Sequence, residues 1–212
     1  MPDFTETLRL TLTDRIGAAD RAGAVTIALG AVAADEVTIP GLYDVLARIL
    51  VETGGSWQDG DAEVWQEHLA TGIVRTIVEA CYPTILERAG SRNGHSVILA
   101  TPPEEYHDLG LRMMADRFTL AGWRVDFLGA SVPDEQLAHA VTALGADAVV
   151  LSASTHFQRM RLRPYVDGLR YGNPGLRIWV TGPAFAPGAH DWPADQVISP
   201  ASVAGLAAWM GA

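Results

Sequence analysis

The sequence predicts an α/β fold with an all-α cap, in which an N-terminal four-helix bundle precedes a parallel-sheet domain. Three observations predict it. Residues before about position 90 repeat apolar side chains at the three- and four-residue spacing of amphipathic helices. After the polar stretch 87–96, short apolar runs alternate with helical patterns. The chain has 212 residues, of which 49% are hydrophobic, enough for two small domains. We expect them at residues 1–90 and 94–212.

Four helices are expected in the first domain. They bury their apolar stripes most simply by packing together as a bundle. The predicted helices span residues 5–16, 18–34, 39–51 and 61–88.

The second domain is expected to contain parallel strands joined by right-handed helical crossovers. Ligands of such sheets bind at the carboxyl ends of the strands. The predicted strands span 97–100, 125–128, 148–151 and 178–180, with a weaker fifth at 197–198, and the predicted helices span 109–120, 134–144 and 160–171.

Composition limits the class of protein. The net charge of −10 makes direct binding of nucleic acid improbable. The single cysteine, Cys81, excludes a disulfide framework and a cysteine-based zinc site. We find no signal peptide and no apolar run of membrane-spanning length, so we expect a soluble cytoplasmic protein without a membrane partner.

The loop after the first predicted strand contains a candidate metal ligand, His107. A neutral imidazole binds a metal through one nitrogen, and Glu105 could hold the other nitrogen. Gly110 would let a bulky ligand approach the backbone. A histidine without further ligands suits a metal that is already held in a macrocycle. The alternative is an ordinary, partly exposed loop histidine.

These residues resemble a family signature. The pattern Glu105-x-His107-x-x-Gly110 is similar to the Asp-x-His-x-x-Gly signature of cobalamin-binding domains. It continues, as in that family, with Ser152-x-Ser154 after 41 residues and with Thr181-Gly182 after a further 26. Glu105 replaces Asp, and Thr181 replaces the first Gly of a Gly-Gly pair.

The resemblance implies a Rossmann-like (flavodoxin-like) domain in which His107 is the axial ligand on the lower face of cobalt, in place of the cofactor's own benzimidazole. The segment FLGASVP, residues 127–133, also resembles the family's loop after the second strand. The cofactor-binding residues implied in this domain are Glu105, His107, Asp108, Gly110, Leu128, Ser131, Val132, Ser152, Ser154, Thr181 and Gly182.

A second motif lies in the helical half. Trp57, nine residues, and then Glu67-His68 resembles the Trp-x9-Glu-His motif of cobalamin-dependent photoreceptors of the CarH type. The resemblance implies a bundle that covers the upper face of adenosylcobalamin, with Trp57 on the adenosyl group and Glu67 and His68 hydrogen-bonded around it. An indole can stack on adenine. The alternative is that Trp57 is a packing residue and Glu67-His68 a solvated helix face.

The resemblance implies a non-enzymatic light sensor, in which light breaks the cobalt–carbon bond and changes assembly or partner binding. Because the sequence begins at the bundle, we expect a homo-oligomer or a protein signalling partner rather than operator binding. Gln58 stands where some of these photoreceptors have a cobalt-capturing histidine. Two alternatives remain open: a corrinoid methyl carrier, which would hold methylcobalamin, and a photocobilin-type sensor, which would also bind a bilin.

Other residues are expected to be structural. His95 and His139 are predicted to lie at the surface, and His156 either borders the cofactor or is solvated. The arginine-rich segment 159–170 is expected to be the solvated face of a helix. Trp65, Trp123, Trp179 and Trp192 are expected to pack in the core or at an interface.

Overall fold

The computed structural model describes residues 4–60, 62–185 and 192–210. The chain divides into two compact units, Met1–Glu87 and Arg88–Ala212. The first is helical and the second contains a parallel sheet, which confirms the predicted fold class.

The helical unit is a bundle whose apolar stripes meet in one interior. Side chains such as Leu12, Leu46 and Ile73 are fully buried there. Asp20 and Thr38 begin the second and third helices by accepting hydrogen bonds from backbone N–H groups three residues later. The helices are α1 (Phe4–Gly17), α2 (Arg21–Ala33), α3 (Ile39–Gln58), α4 (Val64–Ala80) and α5 (Tyr82–Arg88), the last of which begins in this unit.

Two helices differ from the sequence prediction. The helix predicted over 61–88 is divided at Cys81, because Pro83 lacks an N–H and suits the first turn of a new helix. Helix α3 continues seven residues beyond its predicted end, through Gly54 and Gly55, which places Trp57 in its last turn. The stretch Val64–Arg88 is long and apolar enough to cross a membrane, but core helices of soluble bundles have the same composition.

The second unit contains a four-stranded, all-parallel sheet in the order β2-β1-β3-β4. The predicted fifth strand is wrong: Val197 makes only an isolated bridge to Val180. Helix α8 begins four residues earlier than predicted, because the Thr155 side chain accepts a hydrogen bond from the Gln158 N–H. The elements are β1 (Ser96–Ala100), α6 (Leu109–Leu120), β2 (Arg124–Gly129), α7 (Asp134–Leu144), β3 (Ala148–Ser152), α8 (His156–Gly172), β4 (Arg177–Thr181) and the short α9 (Leu206–Trp209).

Helices cover both faces of the sheet, and β1 and β3 are buried throughout. Trp123 and Trp179 pack around Phe118 on one face, and Trp192 packs on Phe185 on the other side. The predicted burial of these three tryptophans is confirmed. Trp65, which was expected in the core or at an interface, is 59% exposed on α4 and therefore does not pack in the core.

The strand order determines where a ligand can bind. Within the sheet, β2 lies next to β1 on one side and β3 lies next to β1 on the other. β1 and β3 therefore flank a topological switch point, and in parallel sheets of this kind ligands bind at the carboxyl ends of the strands beside it.

Candidate functional site

The loop after β1 is fixed to the loop after β2 by backbone hydrogen bonds. The N–H of Thr101 donates to the Gly129 carbonyl at 2.9 Å, and its hydroxyl donates to the Glu105 carbonyl. The N–H of Ser131 donates to both the Thr101 hydroxyl, at 2.9 Å, and the Glu105 carbonyl, at 3.0 Å. The buried threonine therefore sets the path of residues 101–108.

The carboxylate of Glu105 lies inside this arrangement, with 2% of the residue exposed. Its Oε1 accepts the backbone N–H of His107 at 3.0 Å and lies 2.7 Å from His107 Nδ1. Its Oε2 accepts the N–H of Ser154 at 2.8 Å and the Ser154 hydroxyl at 2.6 Å. Burial raises the pKa of this carboxyl, but the hydrogen bonds from Ser154 and His107 outweigh it, so the pKa lies below its usual value. Glu105 is therefore an anion at neutral pH.

The contact with Glu105 determines the chemistry of His107. An acceptor at Nδ1 fixes the proton on that nitrogen, so Nε2 carries the lone pair. Glu105 holds the ring at Nδ1, and the His107 side chain is otherwise 78% exposed. Among the described residues, no group of three or more His, Cys, Asp or Glu side chains could hold a metal ion. The donor set thus fits a metal that brings its remaining ligands with it.

Open space lies over the start of α6. A Cβ atom built on Gly110 would meet no atom within 4 Å. Asp108 precedes the helix, and its Oδ2 lies 3.6 Å from the position of a Cβ on Gly129, at the end of β2. A bulky group can therefore approach this helix without a side chain in its way.

The ends of β3 and β4 approach each other closely. Gly182 has φ +104°, and a Cβ there would lie 2.5 Å from the Ala153 carbonyl oxygen and 2.7 Å from the Ser152 hydroxyl. The Thr181 carbonyl accepts the Ala153 N–H at 3.1 Å. Only glycine fits this position.

The remaining predicted residues of this unit lie beside the same strand ends. Leu128 is partly exposed on β2, and Val132 is half-buried, with its N–H on the Thr101 carbonyl. His156, predicted either to border the cofactor or to be solvated, is exposed and contacts Arg159. His139 is exposed as predicted, whereas His95 is half-buried against the Trp123 ring, at 5.3 Å between centroids.

The helical unit presents the second motif at its surface. Trp57 is 45% exposed, which is unusual for a residue that only fills a core. Glu67 lies in the first turn of α4, with Oε2 3.0 Å from His68 Nδ1 and Oε1 accepting the Thr71 hydroxyl at 2.7 Å. The carboxylate is thus held in place before any ligand arrives. The side chain of Gln58 lies outside the described part of the chain.

Sequence reasoning missed Thr101, Glu104 and Gln158. Glu104 has φ +65°, a left-handed conformation that is uncommon outside glycine. Nothing in its local sequence signals this, because the contacts that hold it come from the loop after β2 and from α8. Thr101 could have been found as a polar residue directly after a fully apolar strand.

Comparison with known proteins places these residues in a family context. Two models described as B12 binding domains match residues 95–205 and 8–82. The chain is 38% identical to the HTH-type transcriptional repressor CarH of Myxococcus xanthus over 143 residues, 66% of this chain and 46% of CarH. It is 31% identical to the repressor CarA of the same organism over 90 residues, 42% of this chain and 30% of CarA. The chain thus spans less than half the length of either relative.

The fold also matches a solved structure. The monomethylamine corrinoid protein of Methanosarcina barkeri superimposes with a TM-score of 0.76, over 93% of this chain and 95% of that one. At 18% sequence identity this likeness concerns the fold alone.

Proposed function

The chain belongs to the B12-binding domain family, with cobalamin as its cofactor, and from this premise we propose that it is a light sensor that holds adenosylcobalamin. The observation that carries the proposal is that each unit, taken by itself, presents a prepared surface. The sheet unit offers one exposed, anchored histidine, and the helical unit offers an exposed indole with a fixed carboxylate.

The residues of the lower face fit a corrinoid. His107 would bind cobalt through Nε2, while the Glu105 carboxylate holds Nδ1–H and fixes the ring. Ser154 keeps that carboxylate in position through two hydrogen bonds. The residues that would line the rest of the cofactor are Asp108, Gly110, Leu128, Ser131, Val132, Ser152, Thr181 and Gly182.

The helical unit would hold the upper ligand. Trp57 would stack on the adenine ring, and Glu67 would accept hydrogen bonds from ribose hydroxyls with His68 beside it. Bound adenosylcobalamin supplies a cobalt–carbon bond that visible light can break. Loss of the adenosyl group would leave Trp57 and Glu67 without a partner and would return the apolar surface of Trp57 to water. A unit whose apolar surface changes in this way can change its assembly or its binding to a protein partner.

Two other functions use the same lower face. A corrinoid methyl carrier would need His107 and Glu105 but nothing to hold a ribose, so the fixed Glu67 carboxylate favours the sensor. A sensor that also binds a bilin would need an additional surface for the bilin beside the one for cobalamin. For the sensor we infer a cytoplasmic homo-oligomer or a complex with a protein partner, without direct contact to nucleic acid.

The test is a comparison of dark and illuminated protein. Protein loaded with adenosylcobalamin in the dark is exposed to green light, with absorbance and light-scattering mass recorded before and after. We expect photolysis accompanied by a change in mass, and no such change with hydroxocobalamin. An unchanged mass after confirmed photolysis would reject a change in assembly as the response to light. A parallel sample supplied with biliverdin and exposed to red light tests the bilin.

The lower ligand is tested separately by His107→Ala. We expect weaker cobalamin binding, by about 10- to 100-fold, and a shifted visible spectrum, because the variant lacks the axial nitrogen. His139→Ala removes an exposed histidine from α7 and is the matched control. Identical spectra for both variants would remove His107 as the ligand.

A further inference from the structure

We propose that Glu104 is a positioning residue for the cofactor ligand, held in a left-handed backbone conformation by Ser131, Gln158 and Arg161. The inference rests on the proposed role of His107 and extends it to residues outside the signature. We name these four residues the Glu104 clamp.

The clamp holds Glu104 from three directions. Its N–H donates to the Ser131 hydroxyl at 3.1 Å, its carbonyl accepts Gln158 Nε2 at 2.9 Å, and its carboxylate pairs with the Arg161 guanidinium. Ser131 comes from the loop after β2, and the other two residues come from α8. One loop residue is thus fixed by two separate elements of the fold.

These contacts maintain a strained backbone. Glu104 has φ +65°, where the Cβ of any residue except glycine crowds its own backbone. Such a residue keeps this conformation only where its surroundings over-determine it. Ser131, its partner, is also left-handed, with φ +54°. Gln158 is 8% exposed and makes its contact with Glu104 inside the fold, whereas the pair with Arg161 is solvated.

The strain has a consequence for the next residue. Glu105 follows directly, and its carboxylate must reach both His107 and Ser154. The turn at position 104 sets the direction in which that side chain leaves the backbone. If residue 104 relaxed to the right-handed region, the carboxylate would leave Ser154 and the His107 ring would lose its anchor. The clamp therefore supports the orientation of the proposed cobalt ligand without contacting it.

Comparing alanine with glycine at position 104 tests the strain directly. Both Glu104→Ala and Glu104→Gly remove the ion pair, but only alanine keeps the cost of a positive φ. We expect alanine to weaken hydroxocobalamin binding by about two- to fivefold, because it removes the solvated ion pair and leaves the positive φ in place, and to lower the histidine-ligated fraction in the visible spectrum at saturation. We expect glycine to stay within about twofold of the original protein. At a residue with negative φ, glycine would be the more damaging substitution. A smaller loss of binding with glycine than with alanine therefore indicates that the positive φ at position 104 is strained.

The α8 contacts are tested by two further variants. Gln158→Leu removes the buried donor and should weaken binding by about tenfold. Arg161→Ala should weaken it by only about two- to fivefold, because solvated ion pairs contribute little. Arg163→Ala is the matched control, since it removes the same charge from α8 but lies over the Trp192 ring. Adding Glu104→Gly to Gln158→Leu should restore most of the binding.

Amide hydrogen exchange of the cofactor-free protein separates this inference from the proposed function. The His107 N–H donates to Glu105, so its exchange should accelerate by about tenfold in Glu104→Ala and Gln158→Leu but not in Arg163→Ala. Unchanged exchange, or glycine no better than alanine, would overturn the clamp even if His107→Ala confirms the ligand. Faster exchange of the His107 N–H in these variants, together with a His107→Ala spectrum equal to that of the original protein, would support the clamp and reject His107 as the cobalt ligand.

Discussion

Glu105 and Ser154 join the loops that follow β1 and β3. Oε2 of the glutamate accepts two hydrogen bonds from the serine, from the N–H at 2.8 Å and from the hydroxyl at 2.6 Å. Oε1 of the same carboxylate contacts the His107 ring. One buried anion therefore connects the two loops at the switch point of the sheet and orients the candidate metal ligand.

Replacing this anion should cost both stability and binding. Glu105→Gln keeps the size of the side chain but leaves one acceptor oxygen and turns an NH₂ group toward the donors of Ser154 or His107. Unsatisfied buried donors cost about 1–3 kcal/mol, which we expect as the loss in the free energy of unfolding by urea. Cobalamin affinity should fall by about 10- to 100-fold. Glu135→Gln, on the exposed surface of α7, is the control, and equal losses in both variants would contradict this role.

The lowered pKa of Glu105 predicts that the stability of the protein depends on pH. Hydrogen bonds from Ser154 and His107 hold the Glu105 pKa below its usual value of 4.5, although burial alone would raise it. The unfolded chain therefore takes up the proton first as the pH falls. The stabilisation is complete above about pH 4.5 and is lost as the pH falls through the folded-state pKa. In urea titrations from pH 7 to pH 3, the difference between the original protein and Glu105→Gln should shrink. A constant difference would show that the carboxylate's charge is not responsible.

The sequence predicts the fold well, because the signals for it are local. Periodicity placed every strand of the sheet, and the contact expected between Glu105 and His107 is present, since two residues of one loop need no long-range packing to meet. The fifth strand failed because two apolar residues cannot reveal whether a neighbouring strand pairs with them. The helix break at Cys81 was missed although the sequence signals it, because Pro83 cannot donate a hydrogen bond within a continuous helix.

The supporting contacts of the site could not be predicted in the same way. Ser154 lies 49 residues from Glu105, and spacing alone does not show which of its atoms donate. Such contacts depend on where distant elements meet, which no single segment encodes.

Gly110→Ala should separate binding from stability. A Cβ at this position meets open space, and alanine is preferred over glycine in a helix by about 1 kcal/mol, so the melting temperature of the cofactor-free protein should stay level or rise. Cobalamin affinity should fall, because the methyl group occupies the space that we assign to the cofactor. Gly168→Ala, in α8 and also open, should leave affinity unchanged. Full affinity in Gly110→Ala would place the cofactor elsewhere.

Trp57→Ala tests whether the helical unit recognises the adenosyl group. The half-exposed indole can stack on adenine, and stacking a base on an aromatic side chain contributes about 1–3 kcal/mol. Loss of that stacking should weaken adenosylcobalamin binding by about 5- to 150-fold, while hydroxocobalamin, which has no adenine, should lose little. The measurement is the ratio of the two dissociation constants, determined in the dark by absorbance or calorimetry.

The ratio is informative because general damage to the bundle would weaken the binding of both cofactor forms equally and would leave the ratio unchanged. Trp65→Ala provides the matched control: it removes an even more exposed indole from the same unit, on the following helix. We expect its ratio to match that of the original protein. A Trp57→Ala protein with equal losses for both cofactor forms would show that Trp57 only packs the bundle. The choice between sensor and methyl carrier would then rest on the light-dependent change in assembly alone.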